Sequence, residues 1–321
     1  MKKIEIEQRL QSEARTLLEQ GKVDYIVGFA PGSLKFTTTP LITRDKDDVD
    51  RLVINPFIVN NLSNFLPELK GRVGIVVKGC DSRSLTSLLQ DNKVVREDVV
   101  ILGFPCPGLI DLNKIELLRD KYRDELDDIV REGDKVVVTA GVEARTFSTE
   151  EVLFDCCLGC ELPTPQEYDI LLGEPRPAAP QLDTSRKGIA TMEATPTEDR
   201  WAFWKQEFSR CIRCYACRNV CPACYCRRCF VEETEPQWIL PMPRWQDNLL
   251  FQVVRNIHVA GRCTDCGECE RACPVGIPLR GLTKKMYEIV DDMFQFKAGL
   301  DKDAAPLHAH YELEEANDFF K

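Results

Sequence analysis

Two copies of one cysteine pattern constrain this chain more than any other feature. Cys211-x2-Cys214-x2-Cys217-x3-Cys221-Pro222 recurs 52 positions later as Cys263-x2-Cys266-x2-Cys269-x3-Cys273-Pro274. The 321 residues hold 16 cysteines but only 3 histidines, His258, His308 and His310. A chain of this length is no small secreted disulfide scaffold, so closely spaced cysteines read as metal ligands or redox groups. With so few histidines, His-ligated zinc and triad hydrolysis lose most of their footing. Thiolate chemistry remains.

Three cysteines at two-residue spacing let one loop place three thiolates around a corner of a cubane. The fourth, opening the next segment before a proline, reaches a different iron. The pattern resembles the bacterial-type two-cluster ferredoxin domain, over roughly residues 200–285. In that run the fourth cysteine serves the other cluster. The expected ligand sets are therefore Cys211, Cys214, Cys217 and Cys273 for one 4Fe–4S cluster, and Cys263, Cys266, Cys269 and Cys221 for a second. Residues 222–262 between the motifs must loop out and return. Zinc on two four-thiolate sites is the competing occupant, and paired proline-closed runs are less typical of it. Arg210, Arg213, Arg218, Arg262 and Arg271 lie around the motifs, either to offset cluster charge or as ordinary solvated side chains.

Composition bounds the rest. Hydrophobic residues make up 44% and charged residues 29%, as in a soluble globular protein. At about 150 residues per domain the length suggests two domains. A net charge of −10 argues against nucleic acid, because phosphate binding needs a basic face. No run approaches a membrane span, and the polar start Met1-Lys2-Lys3-Ile4-Glu5 shows no signal-peptide pattern, so the expected location is the cytoplasm.

Cysteine density shifts sharply along the chain, and the shift suggests the boundaries. Residues 1–160 read as α/β with a mostly parallel sheet. A helix is expected over 4–20, ending at Gly21, and short Val/Ile-rich strands at Val23–Phe29, Val73–Lys78, Val99–Phe104 and Lys135–Thr139. Helices are expected at Ser82–Gln90 and Ile115–Glu125. Residues 161–200, with six prolines, read as a linker or wrapping arm. Residues 201–300 form the expected small α+β two-cluster ferredoxin-like unit with its insert, and 301–321 an acidic tail whose Phe319 and Phe320 either dock on a partner or stay solvated.

Eight cysteines lie outside the ferredoxin-type pair. Cys224, Cys226 and Cys229 fall within six residues and suit a further metal site, zinc included, or a redox-active thiol pair. Cys80 follows a strand and opens a helix capped by Asp81 or Ser82. Cys106, in Phe104-Pro105-Cys106-Pro107-Gly108, ends the next strand. Cys156, Cys157 and Cys160 add a C-C-x2-C. Each alone reads as an ordinary buried cysteine. Together, Cys80, Cys106, one of Cys156 and Cys157, and Cys160 can converge on a third cluster, because α/β sheets gather ligands at strand carboxyl ends. Asp81 and Arg83 form the one charged pair beside Cys80 that acid–base chemistry would use, the plainer reading being a helix cap and a surface arginine.

The strand–Gly79–Cys80–helix unit followed by strand–Phe104-Pro105-Cys106 resembles the β-subunit family of deazaflavin-coenzyme-reducing hydrogenases and formate dehydrogenases, over roughly residues 20–165. In that family the ferredoxin motifs usually precede this part, whereas here they follow it. The resemblance implies FAD, although no G-x-G-x-x-G follows a strand here. It also implies redox subunits of hydrogenase, formate dehydrogenase or heterodisulfide-reductase type as partners, in anaerobic complexes. Two functions compete: a non-catalytic iron–sulfur subunit relaying single electrons, and a flavin-dependent subunit exchanging hydride with a deazaflavin or nicotinamide coenzyme. A zinc interaction module and thiol–disulfide catalysis at Cys156, Cys157 and Cys160 are further alternatives. Partner docking is expected at the Trp238–Trp245 stretch of the insert and at the tail, unless the stretch simply covers the clusters.

Overall fold

In a computed structural model, the chain is described over residues 3–178 and 184–309. Helix α1 (Lys3–Glu19) buries Leu10, Ala14 and Leu17 along one face and stops where Gly21 takes φ +60°. Strand β1 (Tyr25–Pro31) pairs antiparallel with β2 (Thr38–Thr43) and parallel with β3 (Val73–Val77), which pairs parallel with β4 (Val99–Gly103). All five residues of β3 are buried, with Ile75 level with Val27 and Ile101. That is why this strand reads as a continuous apolar run and not as an alternation. Helix α2 (Gly79–Gln90) follows β3 directly, and α3 (Leu112–Arg119) comes after β4.

Three expectations need correction. Lys135–Thr139 does not join the parallel sheet. It is the centre of a separate antiparallel meander of β5 (Asp128–Glu132), β6 (Lys135–Ala140) and β7 (Glu143–Ser148). Its buried Val136 and Val138 alternate with more open neighbours, the pattern of a sheet packed on one face. The helix expected over Ile115–Glu125 ends at Arg119, because Asp120 turns left-handed at φ 52°. The 161–200 stretch is more than a linker. After α4 (Thr149–Val152) and α5 (Asp155–Leu158), strand β8 (Ile170–Leu171) adds to β4 in parallel, and α6 (Thr184–Ala194) touches α5, with Ile189 buried. The prolines break the segment without preventing it from packing.

The cysteine-rich part is built on α7 (Thr197–Ser209), α8 (Ala216–Asn219), α9 (Trp245–His258), α10 (Glu268–Arg271) and α11 (Leu279–Phe294). The sequence repeat is also a backbone repeat. Arg213 and Tyr215 take φ 52° and 59° before α8, and Asp265 and Gly267 take φ 56° and 73° before α10. Each short helix carries the third cysteine of its motif, Cys217 or Cys269, and the two helices touch. Cys217 and Cys269 share a core with Phe208, Ile239, Phe251, Ile277 and Leu279. Residues 222–262 do loop out and return, and they do so as a helix, α9. Residues 310–321, with Phe319 and Phe320, lie outside the described residues. No described helix is long and apolar enough to cross a membrane.

Helix α2 is the seam between the two parts. Arg83 donates to the Ala298 carbonyl through Nε (3.0 Å) and Nη2 (2.9 Å), Ser84 meets Thr264 at 3.0 Å, and Gln90 reaches the carbonyls of Asp301 and Ala304. At this seam Gly299 takes φ +67°, and a Cβ on it would stand 2.0 Å from the Arg83 carbonyl oxygen. Gly299→Ala is therefore expected to lose about 1–3 kcal/mol from backbone strain. Urea unfolding, with faster proteolysis after residue 295, reads the loss.

Candidate metal centres

The end of β3 organises the first thiol group. Lys78, Gly79 and Cys80 leave the strand and begin α2, so Cys80 sits at the carboxyl edge of the parallel sheet. A Cβ at position 79 would fall 1.6 Å from the Leu162 carbonyl oxygen; only glycine lets the loop after Cys160 close here. Cys106, at the end of β4, is tied to the same loop by its N–H to the Pro163 carbonyl (2.8 Å). Helix α5 presents Cys156 and Cys157. Cys80, Cys106, Cys156, Cys157 and Cys160 all line one cavity of about 430 Å³, and Cys266 of the second repeated motif lines it too.

Asp81 is not the N-cap. It occupies the first turn of α2, where it is wholly buried, accepts the Lys78 backbone N–H at 3.2 Å and pairs with Lys78 Nζ at 2.7 Å. Lys78 Nζ also donates to the Asn60 carbonyl (2.7 Å). Burial works against the Lys78 charge, but Asp81 and the Cys80 thiol outweigh it and hold its pKa up. Nor is Arg83 a surface arginine: it is buried at the seam.

The repeated motifs lie against one another through α8 and α10. Cys211, Cys214, Cys217 and Cys273 line a single small cavity. Cys221 lies close enough to Cys263, Cys266 and Cys269 to raise all three thiols. The local hydrogen bonds repeat as well, the Arg213 N–H reaching Cys211 Sγ at 3.4 Å and the Asp265 N–H facing Cys263. Ile277 N–H lies 3.4 Å from Cys273 Sγ, and Gln252 Nε2 lies 3.6 Å from Cys217 Sγ. Among the described residues no three His, Cys, Asp or Glu groups crowd together as they do around one ion; the thiols ring cavities instead. All-thiol donor sets wrapped by N–H donors fit 4Fe–4S clusters.

Burial raises most of these thiols. Cys160 and Cys263 are each pushed up to about 12, and Cys80, Cys106, Cys266 and Cys269 are also raised. Two go the other way. Cys156, hydrogen-bonded by Cys157, is held at about 7, and Cys224 is lowered by its hydrogen bond with Cys221. Cys224 stands beside Cys221, and together with Cys226 and Cys229 it lines an open groove with His258 and His308.

Of the flanking arginines, Arg271 is the most engaged: half-buried, with Nη1 3.4 Å from Cys156 Sγ and 2.8 Å from the Cys266 carbonyl. Arg213 is buried against the Met242 carbonyl, Arg218 pairs with Glu232 and Arg262 with Asp91, and Arg210 is half-exposed beside Glu207. Sequence reasoning missed Arg255 and Arg280, both buried, since neither adjoins a cysteine in the chain. The polar residues of the helical pattern at 247–256 are the signal that could have found Arg255. In the Trp238–Trp245 stretch, Ile239 enters the core while Trp238, Leu240 and Met242 stay exposed.

A buried pair that loses one partner leaves an uncompensated charge. Asp81→Asn is therefore expected to cost about 3–5 kcal/mol in urea unfolding, and Lys78→Met with Asp81→Leu much less, because no buried charge is left unpaired.

The comparisons with known proteins fall on the same residues. A family model described as a 4Fe-4S dicluster domain matches residues 207–277. The β subunit of F420-dependent formate dehydrogenase from Methanocaldococcus jannaschii is 24% identical over 74% of this chain and 76% of its own length. That of formate dehydrogenase 1 from Methanococcus maripaludis, also F420-dependent, is 22% identical over 90% of each. A chain of the F420-reducing NiFe hydrogenase complex of Methanosarcina barkeri overlays with a TM-score of 0.38 at 15% identity, over 49% of this chain and 62% of that one, a likeness too slight to carry weight. Residues 207–277 are thus similar to a 4Fe–4S domain, and the chain is similar over most of its length to the β subunits of F420-dependent formate dehydrogenases.

Proposed function

We propose that this chain is an iron–sulfur electron-transfer subunit of a cytoplasmic anaerobic oxidoreductase complex, relaying single electrons to and from hydrogenase, formate dehydrogenase or heterodisulfide-reductase-like subunits. One observation carries the reading: Cys266 belongs to the second repeated motif and also lines the cavity of Cys80, Cys106, Cys156, Cys157 and Cys160, so the thiol groups are contiguous. Cys211, Cys214, Cys217 and Cys273 hold one cluster, and Cys263, Cys266, Cys269 and Cys221 a second, in a two-cluster ferredoxin-like fold. Cys80, Cys106, Cys160 and one of Cys156 and Cys157 hold a third. Cys224, Cys226 and Cys229 remain for a further metal.

A bound 4Fe–4S cluster supplies reversible one-electron storage. The chain's own residues do the rest. Arg271 joins Cys156 to the Cys266 loop, and Lys78 places an ammonium beside Cys80 and Cys106. The core around Phe208, Phe251 and Ile277 keeps water from Cys217 and Cys269.

A second reading is favoured by the shape of the first cavity. Its 430 Å³ is within the range of small-molecule sites, and Arg131, Arg176 and Lys284 line it together with the thiols. On that reading Arg131, Arg176 and Lys284 would hold FAD there, and the flavin would supply hydride exchange with a deazaflavin, the coenzyme type in the relatives' names, or with a nicotinamide.

Metal analysis of the full chain purified without oxygen tests both. About 12 irons per chain are expected from the three clusters, apart from any metal at Cys224, Cys226 and Cys229, with the iron falling by about 4 in Cys221→Ser. Zinc in place of iron would overturn the proposal. Flavin released on denaturation, with about 8 irons, would favour the second reading.

A further inference from the structure

Helix α9 buries a polar face. Asp247, Asn248, Gln252, Arg255 and Asn256 are all buried on it, with Phe251 the one apolar residue among them. Helices normally turn an apolar stripe to the core, and buried polar groups cost free energy unless they are paired. The amide donors of this face are paired, mostly with the first motif, whereas the side-chain oxygens of Asn248, Gln252 and Asn256 are not. Asn248 Nδ2 donates to the carbonyls of Phe208 and Cys211 (2.9 Å each), Gln252 Nε2 faces Cys217 Sγ, and Arg255 Nη2 donates to the Cys217 carbonyl at 3.1 Å.

Arg255 is left over. It is 3% exposed, and its Nε and Nη1 are buried with no oxygen acceptor. Its guanidinium faces the thiols of Cys221, Cys269, Cys224 and Cys217, and meets those of Cys224 and Cys269 side chain to side chain. Those four cysteines come from both ferredoxin-type sets and from the run that follows the first. A lone guanidinium in the interior is expensive, and breaking a buried pair costs several kcal/mol. Its retention here calls for negative charge on both sides of it, together with acceptors for its Nε and Nη1 donors.

We propose that Arg255 is an electrostatic bridge between the two ferredoxin-type sites. Its fixed charge and these donors lie between Cys217 of one set and Cys221 and Cys269 of the other, and raise the reduction potential of both. Each reduction adds one electron, and so one negative charge, to a thiolate-held cluster, and a nearby cation and N–H···S contacts stabilise that charge. The inference rests on the two-cluster reading above.

The test uses the full chain purified without oxygen, as parent, Arg255→Gln and Arg255→Lys, each measured for iron content and by EPR-monitored redox titration. With parental iron, Arg255→Gln is expected to lower two potentials, each by about a tenfold change in the one-electron equilibrium constant, or about 59 mV. Arg255→Lys keeps the charge but loses the planar fork, so both potentials are expected between those of the parent and the Gln variant. Should the Gln variant lose iron, the Lys variant decides by the same shift. Parental potentials in an iron-replete variant, or a shift of one centre alone, would overturn the bridge and leave the two-cluster reading standing. A parent without iron would overturn both.

Discussion

Buried cations beside thiols are the contacts on which the arrangement of this molecule turns. The chain carries a net charge of −10, and a thiolate-held cluster adds more negative charge in its interior. Burying charge of one sign costs several kcal/mol per ion unless opposite charge is buried with it. The structure meets this with Lys78, Arg83, Arg255 and Arg280, all buried, and with the half-buried Arg271. Lys78 serves Cys80 and Cys106, Arg271 serves Cys156 and Cys266, and Arg255 serves Cys217, Cys221, Cys224 and Cys269. Arg280 works through the backbone instead, its fork gripping both oxygens of Asp265 at 2.7 Å in the left-handed turn between Cys263 and Cys266.

The same contacts join the two parts. Arg271 touches Cys156 of the α/β part, the Cys266 carbonyl of the repeat and the Val59 carbonyl at once. Arg83 lies three residues after Cys80 on α2 and fixes the segment after α11 through Ala298. Helix α2 therefore presents a thiol at its start and a docking side chain one turn later. Once the seam forms, the first thiol cavity is closed by the cysteine-rich part, since Thr264, Asp265 and Cys266 complete its wall.

How much of this was legible in the sequence depends on range. The repeat was readable because its chemistry is local: identical spacing gives identical turns, down to paired left-handed residues two positions apart in each copy. Strands β1, β3 and β4 were readable because full burial leaves an uninterrupted apolar run. Lys135–Thr139 was assigned to the wrong sheet because a short Val-rich run looks alike in either sheet until its partners are known, and β5 and β7 carry little apolar signal of their own. That Cys80, Cys106, Cys156, Cys157 and Cys160 share a cavity was only a suggestion, since it depends on loops meeting across the sheet. Arg255 was invisible, being 34 residues beyond Cys221 in an insert whose return path no local rule specifies.

That insert also breaks the symmetry that the repeat sets up. Two equal motifs in equal surroundings would hold two equal centres, but α9 arises only between them and lays its amides against the first. Cys211 and Cys217 gain Asn248 and Gln252, whereas Cys266 faces the α/β cavity beneath Arg271. Cys214 is exposed, while Cys263, Cys266 and Cys269 are not. Potentials follow hydrogen bonds, nearby charge and solvent access. On the proposed two-cluster reading, identical ligand spacing would therefore yield unequal centres: an inner one against the α/β part, and an outer one that reaches the surface at Cys214. A relay with a direction needs such a difference, and here the non-repeated residues supply it.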